Sequence, residues 1–220
     1  TATLLADEDG FYDPVDFNDR LVLGLKGTMS EAESHILKAR MRGGQLNKAR
    51  RGELEMGPPV GLVYRNDGTI GLDPDAEVQK ALQLVFDTFE RTGSAMETVR
   101  YFLQQGLLFP RRLRIGPNKG DLLWAPPRHA RVLQVLHNPR YAGAFVYGRT
   151  RTRHMPDGST RAVKVARADW QFVMPGMHTG YIDWERFESN QRRLAENARA
   201  FAGERRAGPP RDRSGHDPPR

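Results

Sequence analysis

One helical period runs through the first quarter of this chain and constrains everything else it can build. Leu21, Leu25, Met29, Ala32 and Ile36 recur at intervals of three or four residues. Asn18 is a suitable N-cap, and the helix expected over about residues 19–51 is on the order of 50 Å long at 1.5 Å per residue. Ser30-Glu31-Ala32-Glu33 matches a capping box and offers a second start, but the apolar period passes through it without a break. A helix of this length cannot be buried end to end in a small domain. Its apolar first half is expected to pack on a protein neighbour or a second copy of itself, with Gly24 and Gly27 permitting close approach. Its second half is different: Lys38, Arg40, Arg42, Lys48, Arg50 and Arg51 follow one another with no acid between residues 37 and 52. Cations at the C-terminal end agree with the helix dipole, and Gly43-Gly44 gives the basic half a place to bend. That half should project toward a negatively charged partner.

The whole chain leans the same way. It has 34 Lys plus Arg against 27 Asp plus Glu, a net charge of +7 and a pI near 10.0, a balance that favours nucleic acid or an anionic surface. No run of eighteen apolar residues and no signal-like segment is found, so a membrane protein is not expected. Zero cysteine excludes disulfides and thiolate metal sites, and no two of the six histidines fall three or four apart. Neither metal nor cofactor is expected.

Before the helix, Ala2 to Ala6 reads as a short buried strand ending at the acidic turn Asp7-Glu8-Asp9-Gly10. One strand makes no sheet, so it is expected either to join a later sheet or to belong with strands upstream. After the helix, Glu53 to Pro59 reads as a linker and a second domain should open near Val60. A hairpin is expected over Val60–Tyr64 and Thr69–Leu72 around Asp67-Gly68. Asp73-Pro74-Asp75 should cap a helix whose stripe Val78, Ala81, Leu82, Val85, Phe86 and Phe89 is core. A Gly93 turn then leads to a second helix near residues 95–105, with Val99, Phe102 and Leu103 inward and Gly106 as its stop, the outline of a helix-turn-helix unit.

Residues 109–120 read as a basic, turn-rich loop, and a helix is expected from about Pro127 to His137. Val132, Leu133, Val135 and Leu136 can pack while Arg128, His129, Arg131 and Gln134 lie on the other side, a face able to enter a major groove, where Arg reads guanine and Gln reads adenine. Gly143 to Thr152 alternates as one strand, placing Arg149, Arg151 and Arg153 on one face, and Pro156-Asp157-Gly158 turns it toward Arg161–Ala166, a wing edged with arginine. Trp170, Phe172, Met174 and Trp184 should complete the core. Asn190 to Phe201 starts a basic helix, and the Pro- and Arg-rich residues beyond it read as disordered.

The stretch VLQVLHNPRYAGAFVYGR, preceded by DRLVLGLKGTMSEAESHILKARMRGGQLNKARRGE, resembles the large serine recombinases, the phage-integrase and transposon relatives of the resolvases and invertases. The resemblance covers about residues 3–200 and rests on the two segments occurring in this order. It implies an α+β fold: a remnant strand of the catalytic domain (residues 1–17), a long connecting helix that dimerises that domain and crosses DNA (18–57), then a mixed, winged-helix-like recombinase domain with a β-hairpin (58–200), and a disordered basic tail (201–220). It implies a phosphoserine mechanism, with arginines stabilising the transferring phosphoryl group. The family's nucleophilic serine has no counterpart here, since Ser30 and Ser34 lie on the long helix with no arginine cluster. Of the family's active-site arginines only one carries over, to Arg40. Arg42, Lys48, Arg50, Arg51, Arg128, His129, Arg131, Gln134, Arg140, Arg149, Arg151 and Arg153 are the implied DNA contacts. Double-stranded DNA and a second copy of the chain are the implied partners, with a tetramer in the family's synapse and a bacterial, nucleoid-associated setting in the cytoplasm. The cysteine-paired zinc ribbon that usually follows in the family is missing from the residues in hand. A stand-alone winged-helix-like regulator or nucleoid protein is the competing reading. An RNA-binding protein is disfavoured because no aromatic-rich RNP-like strand is present.

Overall fold

The structure, a computed structural model, describes residues 4–113 and 115–206. It divides into two compact units, Thr1–Glu55 and Met56–Arg220.

In the first unit β1 (Leu5–Asp7) pairs antiparallel with β2 (Gly10–Tyr12), Leu5 opposite Tyr12 and Asp7 opposite Gly10. The expected buried strand at Ala2–Ala6 is thus an exposed hairpin shifted toward the acidic turn, and its partner follows at once instead of lying upstream or in a later sheet; residues 1–3 fall outside the described part. Then α1 (Phe17–Arg50) runs 34 residues without interruption, about 51 Å. Asp16, not Asn18, is its cap: the Asp16 carboxylate accepts from the backbone N–H of Asn18 and Asp19 at 2.8 and 3.1 Å. Neither the Ser30 capping box nor Gly43-Gly44 breaks the helix. Lys26 ties it to the hairpin, donating to Asp7, Asp9 and the Tyr12 hydroxyl at 3.0, 2.7 and 2.8 Å, which raises the lysine pKa above its ordinary value. Leu21, Leu25, Met29 and Ile36 stand exposed along the helix.

The second unit begins with β3 (Leu62–Tyr64) and β4 (Ile70–Leu72), the hairpin expected around Asp67-Gly68, with Tyr64 opposite Ile70 and Gly68 taking φ +79°. Next, α2 (Ala76–Thr92), capped by Asp75 on the Glu77 and Val78 N–H groups, buries Val78, Leu82, Val85, Phe86 and Phe89. Each such side chain removed from water is worth about 1.5–3 kcal/mol, so this stripe anchors the core. Gly93 ends α2 in the left-handed conformation, and Ser94 caps α3 (Ala95–Gln104). On α3 the buried residues are Ala95, Thr98, Val99 and Phe102; Leu103, expected inward, is 54% exposed.

Residues 109–120 are not simply a loop. Phe109–Arg112 forms β5 and Leu122–Ala125 forms β6, antiparallel, with Arg111 opposite Leu123. α4 (His129–Leu136) follows, then a short 3-10 turn at Pro139–Ala142. The single strand expected over Gly143–Thr152 is broken at Gly148, whose φ of +87° turns the chain. Its first part, β7 (Phe145–Tyr147), pairs with β10 (Phe172–Met174); its second, β8 (Thr150–His154), pairs with β9 (Thr160–Lys164) in an exposed hairpin. Finally α5 (Trp184–Arg206) extends past Phe201, where disorder was expected to begin; residues 207–220 lie outside the described part.

One buried cluster joins α2, α3, α4, the 3-10 turn and α5. Tyr141 packs edge-on against Phe86 at 5.7 Å and Tyr181 at 5.8 Å, and the two tyrosine hydroxyls donate to the Val60 and Gly61 carbonyls at 2.8 and 2.7 Å. Gly143 (φ +68°) lies so near His178 that a Cβ would sit 2.2 Å from its carbonyl oxygen.

Candidate nucleic-acid interface

α4 is held from three sides. Val132, Val135 and Leu136 are buried in the core, which fixes the helix about its axis. At its C-terminal end the Leu136 carbonyl accepts from Gln191 Nε2 of α5 at 2.8 Å, and the His137 ring meets Gln191 Oε1 at 2.7 Å. Arg149 donates to the His137 carbonyl at 3.2 Å and to Asn138 Oδ1 at 3.1 Å, so the Leu136 and His137 carbonyls at the end of α4 are satisfied by side chains, while Leu133 and Val135 accept from the His137 and Asn138 N–H groups. The outward face then carries Arg128, His129 and Gln134, all exposed, with Arg131 half-buried beside them. The Arg131 guanidinium lies 5.9 Å from the centre of the Phe109 ring, and its Nη1 donates to Gln134 Oε1 at 3.2 Å.

Between this face and β5 lies an open cleft of about 620 Å³, lined by Arg111, Arg112, Arg131, Gln134 and Asn138 over an apolar floor that includes Val135. Arg112 is not available to a ligand in the way Arg111 is. Its Nη2 donates to the buried Asp73 carboxylate at 2.8 Å and its Nη1 to the Gly120 carbonyl at 2.8 Å, closing the turn between β5 and β6. Asp73 is 3% exposed, so this pair pins the basic hairpin to the start of α2.

The other residues expected at an interface separate into two kinds. Arg128, Arg151 and Arg153 are exposed with no ion pair among the described residues, and so are Arg40, Arg42, Lys48 and Arg50 on α1. Arg51 is paired with Glu53 at 2.8 Å, which holds the Glu53 carboxyl below its ordinary range. Arg140 is 7% exposed and donates through Nη1 to the Met56 and Gly57 carbonyls at 2.9 and 3.2 Å; burial lowers its pKa. Arg149 is half-buried, capping α4 with its guanidinium 5.5 Å from the Trp170 ring centre, and burial, then the Arg140 charge, lowers its pKa. These two arginines hold backbone. On the β8–β9 hairpin, Arg153 lies directly opposite Arg161, and Lys164 opposite Thr150. Arg111, Arg161 and Lys164 are thus cationic positions that the sequence reading left out. Arg111 lies on β5, which Pro110 disguised, whereas Arg161 and Lys164 lie on the second strand of the expected wing, whose own cations were not counted among the contacts.

Among the described residues no group of His, Asp and Glu could hold a metal, and no helix is long and apolar enough to cross a membrane. Ser94 caps α3, Ser159 donates to Asp157, and Ser30, Ser34 and Ser189 are exposed on helices. None of these five has an arginine hydrogen-bonded to its hydroxyl.

Comparison with known proteins finds matches of three kinds. A family model described as Recombinase matches residues 76–197, α2 to α5. A curated relative, "Uncharacterized protein y4bA/y4pH" of Sinorhizobium fredii (strain NBRC 101917 / NGR234), is 57% identical over 213 residues, which is 97% of this chain and 31% of the relative. The chain therefore spans about a third of that relative's length. A solved structure, the crystal structure of an LSR-DNA complex, is similar with a TM-score of 0.47 and 17% identity over 72% of this chain and 40% of that one.

Proposed function

The chain belongs to the Recombinase family of large serine recombinases, and from that premise we propose that it is the duplex-DNA-binding part of a site-specific recombinase. The observation that carries this reading is the outward face of α4: four polar side chains able to donate to base edges and phosphates, on a helix fixed by the core beneath it and flanked by a basic cleft. In the proposal α4 enters the major groove as the recognition helix of a winged-helix-like unit, Arg128 and His129 toward the backbone and Arg131 with Gln134 toward the bases. Arg111 and the exposed arginines of the β8–β9 hairpin lie on neighbouring phosphates.

The exposed basic half of α1 tracks a second stretch of phosphates. Its apolar half packs on another copy, which would cover Leu21, Leu25, Met29 and Ile36. Residues 18–57 thus form the connecting helix and residues 58–200 the recombinase domain, in the cytoplasm of a bacterium and associated with its nucleoid. Arg40 would face a phosphate undergoing transfer only when a catalytic domain supplies the nucleophile, because covalent phosphoryl transfer requires an attacking hydroxyl that these residues do not gather arginines around.

Two measurements on the purified chain test the proposal. Binding to random-sequence duplex should weaken steeply with salt, with a log–log slope of about −0.9 for each phosphate neutralised. Incubation with a nicked suicide duplex should leave no protein-linked DNA on a denaturing gel. Affinity independent of salt would remove the DNA reading. A covalent adduct abolished by replacing one serine would overturn the division between binding and chemistry.

A further inference from the structure

Gln134 is placed on the exposed side of α4, where a free glutamine amide would match adenine: its oxygen accepts from N6–H and its nitrogen donates to N7. The structure changes what that amide can offer. Arg131 Nη1 lies 3.2 Å from Gln134 Oε1. An arginine has only N–H donors, so the amide oxygen and not the amide nitrogen must face it. The arginine is itself held, its guanidinium carbon 5.9 Å from the Phe109 ring centre and its stem on a helix whose Val132 and Val135 are buried. With the oxygen turned to Arg131, Gln134 presents Nε2–H to its surroundings, next to a guanidinium that also carries only donors.

A surface of adjacent donors discriminates among the four bases in the major groove. Guanine shows two neighbouring acceptors, N7 and O6. Adenine shows one acceptor beside a donor, thymine one acceptor beside a methyl group, and cytosine a donor. Resting on the reading that α4 lies in the major groove, we infer that Gln134 selects guanine and that Arg131 is the positioning residue that makes it do so by holding the amide oxygen toward itself and the amide nitrogen outward. The simple correspondence of glutamine with adenine is thereby reversed. Arg131 acts through Gln134: without it the amide is free to turn and present both its oxygen and its nitrogen, and the adenine match returns.

The test is a selection of bound duplexes from a randomised library by the full chain, the Gln134→Ala variant and the Arg131→Met variant, each checked for an unchanged melting temperature. The wild-type chain should enrich guanine at a position whose preference Gln134→Ala erases, and 7-deazaguanine there, lacking the N7 acceptor, should weaken binding about tenfold. Arg131→Met, which keeps an apolar stem against Phe109, should shift that position from guanine toward adenine. A loss of binding with no change of base would mark Arg131 as an ordinary contact and overturn the inference. So would adenine enriched by the wild-type chain, or a pattern that Gln134→Ala leaves intact. If no duplex is retained at all, the DNA-binding reading itself fails, an outcome distinct from retention with the wrong base.

Discussion

Arg50 and Arg51 are adjacent in sequence and equally charged, yet the structure assigns them different electrostatic weight. Arg50 has no ion-pair partner among the described residues, whereas Arg51 donates to Glu53 Oε2 from both Nε and Nη2 at 2.8 Å. A cation that neutralises one phosphate contributes about 0.9 to the slope of log K against log salt, so over a fourfold rise from 50 to 200 mM it accounts for about a 3.5-fold loss of affinity. Arg50→Ala should therefore flatten the slope by about 0.9, as should Lys48→Ala, and the double variant by about 1.8. Arg51 must exchange Glu53 for a phosphate while the carboxylate stays close by and repels it. Arg51→Ala should flatten the slope by less than half as much as Arg50→Ala. Glu53→Gln should steepen it, because it releases Arg51 and removes a nearby negative charge. Fluorescence anisotropy of a labelled duplex at several salt concentrations measures all five slopes. Equal slopes for the Arg50 and Arg51 variants would refute the assignment by ion pairing. A slope unmoved by the Lys48/Arg50 double variant would take the helix off the DNA.

Two further outcomes are expected of the second unit. Gly143→Ala must place a Cβ 2.2 Å from the His178 carbonyl at φ +68°, and should destabilise by at least about 2 kcal/mol in urea unfolding, against about 1 kcal/mol for Gly106→Ala, where φ is +63° but the space is open. His178 is half-buried, and burial, then the Arg140 charge, lowers its pKa from the ordinary 6.5. The unfolded chain then binds the proton more readily than the folded one, so the stability this group contributes is full above about pH 6.5 and is lost as pH falls toward the folded pKa. Thermal melts from pH 7.5 to 5 should show that loss in the native chain and a reduced loss in His178→Gln.

How much of this was legible in the sequence depended on whether local order decided the outcome. α1 was, because a 3.6-residue period sustained from Leu21 to Ile36 needs no tertiary information, and its N-cap was misplaced by only two residues because Asp16 and Asn18 are both competent caps. The β3–β4 hairpin was legible through Asp67-Gly68, whose turn demands positive φ. By contrast, β5 was hidden: Pro110 sits inside it, tolerated because the two-stranded sheet leaves an edge free, and a long Gly-rich connection separates it from β6. The break at Gly148 was hidden for another reason. Alternation continues from Phe145 through Arg153 as if one strand were running, and only the backbone at +87° reveals that β7 goes to β10 and β8 to β9. On α4 the inward and outward residues were legible from spacing alone, but the hydrogen bond from Arg131 to Gln134, which sets what the amide can read, depends on Phe109 from a strand that was not foreseen.

A pI of 10.0 counts arginines without saying what they touch. Several of those in the second unit already have partners, among them Arg112 with Asp73, Arg140 with the Met56 and Gly57 carbonyls, Arg149 with Asn138 and the His137 carbonyl, Arg167 with Glu188, and Arg186 with Asp87 and Glu90. Each substitutes a folded-state contact for water, so each spends its donors on the fold. The arginines of the β8–β9 hairpin do the opposite. Arg153 and Arg161, both exposed, stand directly across from one another, and like charges in that register destabilise the pairing. A small two-stranded ribbon has little stability to lose. Its cost is offset when an anion lies between the two guanidiniums, so this pair, unlike the arginines already partnered within the fold, stands to gain from an anionic backbone.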